Sequence, residues 1–108
     1  MINIKFYRDL EGYFKAGLDD KYRLLGQYFE SEVQGIAEVC QDLLDAIKEL
    51  ELGDRTSLEG VGNALGLNLT SERAIIWTEF TESEQTLELP LTDFKQALVD
   101  CLAFLQSF

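Results

Sequence analysis

At 108 residues the chain has the length of one domain, because compact domains most often contain about 100 to 150 residues. Hydrophobic residues make up 46% of it and aromatic residues 11%, so we expect a folded interior and a single domain over residues 1–108 despite a net charge of −11. That charge argues against nucleic acid and anionic membranes as partners, because their phosphates are bound through Lys and Arg.

The first predicted elements are short strands. Ile2, Ile4 and Phe6 alternate with polar residues, which is the two-residue period of a half-buried strand. Residues 13–18 alternate in the same way, and a third strand is expected near residues 22–28. The sequence therefore predicts that three antiparallel strands begin the fold.

A helix is predicted next. The segment "SEVQ" matches a capping box, in which Ser31 and Gln34 satisfy amides of the first helical turn. Apolar residues then recur at helical spacing up to Gly53, a residue that often ends helices in the left-handed conformation. We expect a helix over about residues 32–52.

The second half of the chain returns to strands and ends in a helix. A hairpin is predicted from Ser57 through "LGLNL" and the turn "TSER" to "AIIWTEF". It is followed by a strand at "TLELPL" that points Leu87, Leu89 and Leu91 inward. The segment "TDFKQALVDCLAFLQSF" has one apolar stripe, as a helix would. The predicted fold class is α+β, a two-layer domain with an antiparallel sheet of about five to six strands and two helices on one face.

Most catalytic chemistry is excluded by composition. The chain contains no histidine, so neither a Ser-His-Asp triad nor a His-ligated metal site is available. We expect no catalytic residue, no cofactor and no metal.

Cys40 and Cys101 lie on apolar helical stripes, which favours buried reduced thiols over a disulfide. The segment "GVGNALG" departs from the dinucleotide-binding fingerprint in its glycine spacing and continues into a predicted strand.

Acidic side chains form two candidate recognition surfaces. Residues 1–25 hold five basic and four acidic residues, whereas the remaining 83 residues hold four basic and 16 acidic ones. One surface is the stripe of the predicted first helix, and the other is the run between residues 79 and 93. Both are either solvated faces or contacts to a basic protein. The candidate residues are Glu38, Asp42, Asp45 and Glu49 on the helix and Glu79, Glu82, Glu84 and Glu88 in the run.

Trp77 adds an aromatic candidate. It lies in a predicted strand that is apolar on both faces, so it is either ordinary core or part of an exposed face on the side of the sheet that no helix covers. Exposed tryptophan among carboxylates is typical of interface hot spots.

Four segments carry a resemblance to a known family. "KFYRDLEG", "GQYFESEV", "LEGVGNALGLNLTSERAIIW" and "LELPLTDFKQALVDCLAFL" occur in an order that resembles the YacL-like family of small bacterial proteins over nearly the whole chain. The resemblance implies a fold, and none of the four segments is a catalytic signature, so it implies no particular activity. Small acidic proteins of similar organisation serve as immunity proteins in contact-dependent growth inhibition.

The function predicted from these features is binding to another protein. The first hypothesis is an immunity protein that neutralises a cognate basic toxin domain, in particular a nuclease. The alternative is a housekeeping YacL-like adaptor for a cellular protein. The start of the chain has no apolar run of a signal peptide, and no stretch of 18 apolar residues is present, so a cytoplasmic location is expected.

Overall fold

The computed structural model describes residues 2–79 and 84–107. Within these residues the chain forms two antiparallel sheets and three α-helices, which confirms the predicted α+β class. The strands are β1 (Lys5–Arg8), β2 (Phe14–Gly17), β3 (Leu58–Val61), β4 (Leu65–Leu69), β5 (Arg73–Thr78) and β6 (Thr86–Pro90). The helices are α1 (Arg23–Tyr28), α2 (Ala37–Leu52) and α3 (Leu91–Leu105).

The N-terminal hairpin contains two strands. β1 pairs antiparallel with β2, and the Asp9 carboxylate closes the turn by accepting from the amides of Glu11 and Tyr13, each at 2.9 Å. The ring of Phe6 packs against Phe14 and Phe104, which holds the hairpin on the C-terminal helix. The first two predicted strands are therefore confirmed.

The third predicted strand is wrong, because residues 23–28 form α1. Leu24, Leu25, Tyr28 and Phe29 are all buried, and this spacing places them on one face of a helix. Gly26 is also buried, and a Cβ there would lie only 2.7 Å from the side chain of Leu18, the residue that follows β2. The close approach fixes α1 against β2.

The predicted start of α2 is also wrong. Residues 29–33 form a π-helical turn, the chain then reverses through Gln34 and Gly35 at positive φ, and α2 begins at Ala37. Gln34 donates its side-chain amide to the Ser31 carbonyl oxygen at 2.6 Å, so the two residues do not form a capping box. The predicted end is confirmed, since Gly53 adopts φ 81° as the C-cap of α2.

β3 to β6 form one sheet in the order β3-β4-β5-β6. The predicted hairpin is β4 and β5, but the strand expected from Ser57 turns back after Val61 and forms β3 and β4 instead of one strand. The predicted last strand is β6, whose Leu89 is buried and whose Leu87 is half-buried. Leu91 is buried too, but it begins α3 instead of continuing the strand. Pro90 ends β6 directly before this helix, as expected for a residue without an amide donor.

The core lies between this sheet and the helices. α1 and α3 contact β5 and β6, and α2 packs along α3. Cys40 of α2 and Cys101 of α3 are both fully buried and unbridged, with their sulfurs 3.5 Å apart, so the structure has the buried free thiols that the sequence predicts. The opposite face of the sheet has no helix on it within the described part of the chain.

Candidate protein-binding surface

The helix-free side of the four-stranded sheet carries two rows of side chains. Cross-strand register places Val61, Gly66, Trp77 and Thr86 in one row. The adjacent row contains Glu59, Asn68, Ile75 and Glu88, and Arg73 follows on β5. We call these nine residues the outer face. Its centre is apolar and its margin is charged, which is the usual anatomy of a protein interface.

Trp77 lies on this outer face and is half-buried. Its indole covers Gly66 on the neighbouring strand, where an added Cβ would lie 2.1 Å from Cε2 of the ring. The indole N–H donates to the Glu79 carboxylate. These contacts are on the side of the sheet away from the helices, so Trp77 is not part of the core. Of the two possibilities given by the sequence, ordinary core or a face that no helix covers, the structure shows the second.

Glu88 lies beside Ile75 and forms an ion pair with Arg73 at 2.9 Å. The Glu88 carboxylate raises the pKa of the Arg73 guanidinium through this hydrogen bond. Both side chains are about half exposed, so we expect the pair to contribute little stability. Its main effect is to orient two charges at the margin of the outer face.

The predicted acidic run is only partly exposed in the structure. Glu79 is half-buried, and its carboxylate is engaged by Trp77. Glu84 and Glu88 are exposed. Glu82 lies outside the described residues. Glu88 is a member of the outer face and Glu79 is bound to its Trp77, so these two residues of the run share one surface with the helix-free face, although the sequence predicted the run and the face separately.

The acidic stripe of α2 lies elsewhere. Its four residues are exposed, but the helix belongs to the layer on the other side of the sheet. Glu49 pairs with Arg55 at 2.9 Å, and Asp45 accepts from the Gln41 side chain at 3.0 Å. The stripe therefore shares no surface with Trp77, and the two sets of predicted binding residues are not brought together. The stripe consists of Glu38, Asp42, Asp45 and Glu49.

Sequence reasoning identified only Trp77 and Glu88 of the nine residues of the outer face as candidates, and the members that it missed include Glu59, Val61 and Asn68. Val61 is 52% exposed and Glu59 is exposed, whereas Asn68 is half-buried. Alternation in "LGLNL" places Asn68 opposite to the buried leucines, so this residue was detectable. Glu59 and Val61 required the register of β3 against β4, which the glycines of the intervening segment obscure.

The glycine-rich segment "GVGNALG" forms the end of β3, the turn after it and the start of β4. The Glu32 carboxylate accepts hydrogen bonds from the amides of Asn63 at 2.7 Å and Ala64 at 3.1 Å. These are the donors that an anion would use in such a turn. The protein's own carboxylate occupies them, so the turn is not a phosphate cradle.

Metal-ligating side chains are dispersed in the described part of the chain. No group of three or more Cys, Asp or Glu side chains there is arranged to hold a metal ion. Across residues 2–79 and 84–107, no helix has both the length and the apolar character needed to cross a membrane.

Comparison with known sequences places the chain in a family. Residues 2–104 match the family described as "Uncharacterised protein family (UPF0231)". The chain belongs to this family. Membership agrees at a coarse level with the resemblance to YacL-like proteins, and it brings neither a catalytic role nor an immunity role with it.

Similar proteins of the UPF0231 family occur in Shewanella. The UPF0231 protein of Shewanella sp. strain ANA-3 and that of Shewanella oneidensis are each 30% identical to this chain over 112 aligned residues, covering 90% of both proteins. A UPF0231 protein of Shewanella sp. strain MR-4 is 34% identical over 80 residues, which is 74% of this chain and 64% of the relative. No solved structure matches the chain significantly.

Proposed function

We propose that the protein is a non-catalytic binding protein that recognises a basic surface on another protein through the outer face. The observation that carries this proposal is Trp77, which is held on the outside of the sheet between Ile75 and a margin of carboxylates. Tryptophan in such a position is typical of an interface anchor, since one side chain provides a large apolar contact and a polar N–H.

Charge supports a basic partner. The outer face lies in the part of the chain that holds 16 of the 20 acidic residues. Its own Glu59 is exposed, and so is Glu84, two residues before Thr86 of the same face. A negative field accelerates encounter with a positive surface and disfavours acidic competitors. The same field disfavours nucleic acid and anionic membranes.

The partner that fits this field best is a basic toxin domain, in particular a nuclease. A nuclease must hold phosphates with Lys and Arg, so its active-site region is positive before any inhibitor binds. In this form of the proposal the protein is a cytoplasmic immunity protein of contact-dependent growth inhibition, and a toxin gene beside its own is expected.

A housekeeping adaptor is the second candidate. It is favoured by relatives in several Shewanella strains that match 90% of this chain, as expected for a protein whose partner is shared among these bacteria. Here the partner is a basic cellular protein. Co-purification with the product of an adjacent toxin gene supports the first candidate, and co-purification with a cellular protein supports the second.

Co-purification with matched variants tests the proposal. The wild type and an α2 variant with Glu38→Gln and Asp42→Asn should retain the same basic protein. Trp77→Ala and the charge reversal Glu59→Arg should each lose it, and circular dichroism should show that every variant is folded. Retention by both outer-face variants, or loss only in the α2 variant, would overturn the proposal. Enzymatic turnover that disappears with a single carboxylate would also overturn it.

A further inference from the structure

The outer edge of β3 has backbone groups that no described element pairs with. The Gly62 amide donates to the Leu65 carbonyl oxygen at 2.9 Å, so residues 62 and 65 form a hydrogen-bonded pair. Hydrogen-bonded and non-hydrogen-bonded pairs alternate in antiparallel strands. Gly60 therefore directs its N–H and C=O toward β4, and those of Glu59 and Val61 point away from the sheet. Residues 59–61 are all exposed.

Two other sheet edges are obstructed. β6 ends at Pro90, which has no N–H, and the Arg23 guanidinium donates at 3.3 Å to the side chain of Gln85, directly before the first residue of this strand. On β2, the outward amide of Ala16 donates to the Glu30 carboxylate at 2.9 Å. Proteins commonly block free edges in these ways, because an open edge pairs with other chains. Among residues 2–79 and 84–107, no side chain or proline obstructs the edge of β3 in these ways.

A cavity of about 260 Å³ opens beside this edge. Gly60 faces it from β3, and a Cβ at Gly60 would have no heavy atom within 4 Å. The volume is below the roughly 300 to 1,000 Å³ of typical small-molecule pockets, so the cavity suits a single side chain better than a metabolite. The walls are mainly apolar and include Tyr28, Leu43, Leu58 and Leu67.

Charges at this edge select the kind of chain that can pair with it. The Glu32 carboxylate borders the cavity, and Glu59 is exposed on β3. A second copy of this chain would bring a second set of the same carboxylates to this edge, and like charges on neighbouring strands are destabilising where they lie opposite one another. A segment with Lys or Arg beside an apolar residue would instead place a positive charge near these carboxylates and an apolar side chain in the cavity.

We propose that an extended segment of the basic partner pairs antiparallel with β3 as a fifth strand, with an apolar side chain opposite Gly60 in the cavity and a Lys or Arg beside Glu59. Residues opposite one another in a sheet share a face, so this apolar side chain points inward like Gly60. Strand addition obtains affinity from main-chain hydrogen bonds and specificity from alternate side-chain pockets. The inference rests on the proposed function for the basic character of the partner.

A defined peptide tests the pairing without the partner. The probe is a short, end-blocked peptide with a central leucine, a lysine on each side of it and valines beyond, titrated into ¹⁵N-labelled protein. We expect saturable binding with slowed hydrogen exchange at the Glu59 and Val61 amides. N-methylation of a lysine next to the leucine should abolish binding, whereas N-methylation of the leucine itself should not, because that amide points away from β3. No saturable binding, or equal binding of both methylated peptides, would overturn the inference.

Two variants test the cavity and the edge separately. Gly60→Leu should fill the cavity from β3 and weaken peptide binding by about tenfold or more, as for the loss of an interface anchor. Gly60 is not at positive φ, so leucine introduces no backbone strain. Val61→Pro removes one outward amide and should also weaken binding. Unchanged peptide affinity in both variants would contradict the proposal, as would a dimer in light scattering that protects the Glu59 and Val61 amides.

Trp77→Ala separates this inference from the proposed function. It should leave peptide binding unchanged, because Trp77 lies two strands away from the edge of β3. If the co-purified basic protein depends on Trp77 but not on Gly60, which lies on the opposite face of β3, the proposed function holds and strand addition is wrong. If the peptide binds as expected and no basic protein depends on Trp77, strand addition holds and the outer-face proposal is wrong.

Discussion

At the scale of single residues, Gly66 and Trp77 determine the shape of the outer face. The indole occupies the space where any other residue at position 66 would place its Cβ. The pair therefore acts as one unit, in which the absence of a side chain on β4 lets an aromatic ring from β5 lie against the sheet.

Gly66→Ala should destabilise the protein by about 1 to 3 kcal/mol, because the new methyl group displaces the indole from a packed position. Urea unfolding followed by the fluorescence of Trp77, the only tryptophan, measures this. Gly60→Ala is the matched control, since its methyl group enters open space. An equal loss of stability in the two variants would mean that the packing of the Trp77 indole does not require glycine at position 66.

Tyr28 gives the protein a defined sensitivity to alkaline pH. Burial raises the pKa of its hydroxyl above the ordinary value of 10.0, and the nearby charge of Glu32 raises it further. Because the pKa is higher in the folded state, the stability linked to this proton is complete below about pH 10 and is lost as the pH rises above it.

Above about pH 10 the free energy of unfolding should therefore fall less steeply in Tyr28→Phe than in the wild type. The difference between the two slopes should be at most about 1.4 kcal/mol per pH unit. Urea unfolding at a series of alkaline pH values measures the difference. Tyr13→Phe is the control, because Tyr13 is 62% exposed. Identical alkaline profiles for Tyr28→Phe and the wild type would show that the Tyr28 pKa is not raised.

At the scale of elements, the spacing of apolar residues predicted the helices and strands that have one buried face. The end of α2, the length of α3 and the β4-β5 hairpin follow from regular apolar spacing. α1 was missed because Tyr22, Leu24 and Tyr28 alternate with other residues as in a strand. Leu25 and Phe29 are also buried, and only a helix places them together with Leu24 and Tyr28.

The start of α2 was missed because tertiary contacts override a local capping signal. Ile36 occupies the N-cap position in an extended conformation and makes no side-chain cap. It is 46% exposed, so the apolar side chain gains little from packing. Gly35 precedes it at positive φ, and the Phe14 side chain lies 3.2 Å from the place of a Cβ there. The packing of this turn fixes where the helix begins.

Ile36→Asp should stabilise the protein by about 1 kcal/mol, because the new carboxylate can accept from the free amides of the first turn of α2. Thermal and urea unfolding measure the change. Ile36→Ala removes the same apolar group without adding a cap and should not stabilise. A gain of equal size in Ile36→Ala would show that the effect comes from loss of the exposed isoleucine.

Contact between α2 and α3 protects both cysteines. The hydrogen bond to Cys40 and burial raise the pKa of the Cys101 thiol, so its reactive thiolate is scarce at neutral pH. We expect both thiols to react slowly with an aromatic disulfide reagent in the native protein and quickly in denaturant. Exposed Cys in an unrelated peptide provides the reference rate. Rapid native labelling of both would contradict the packing of α2 on α3.

At the scale of the whole molecule, the sequence predicted the two acidic sets but not their relation. The α2 stripe follows from helical spacing. Joining Glu88 and Trp77 to Glu59 depends on the register across four strands, which a single sequence does not specify. A protein in which one side of the sheet carries helices and the other carries an aromatic residue with carboxylates has two different sides available for recognition.

The most direct test of the proposed binding face is chemical-shift mapping of the ¹⁵N-labelled protein with its co-purified basic partner. We predict that perturbations centre on Val61, Asn68, Ile75, Trp77 and Glu88, and that added salt weakens binding because the contact is electrostatically assisted. Perturbations confined to α2 between residues 38 and 49, with the outer face unchanged, would contradict the account.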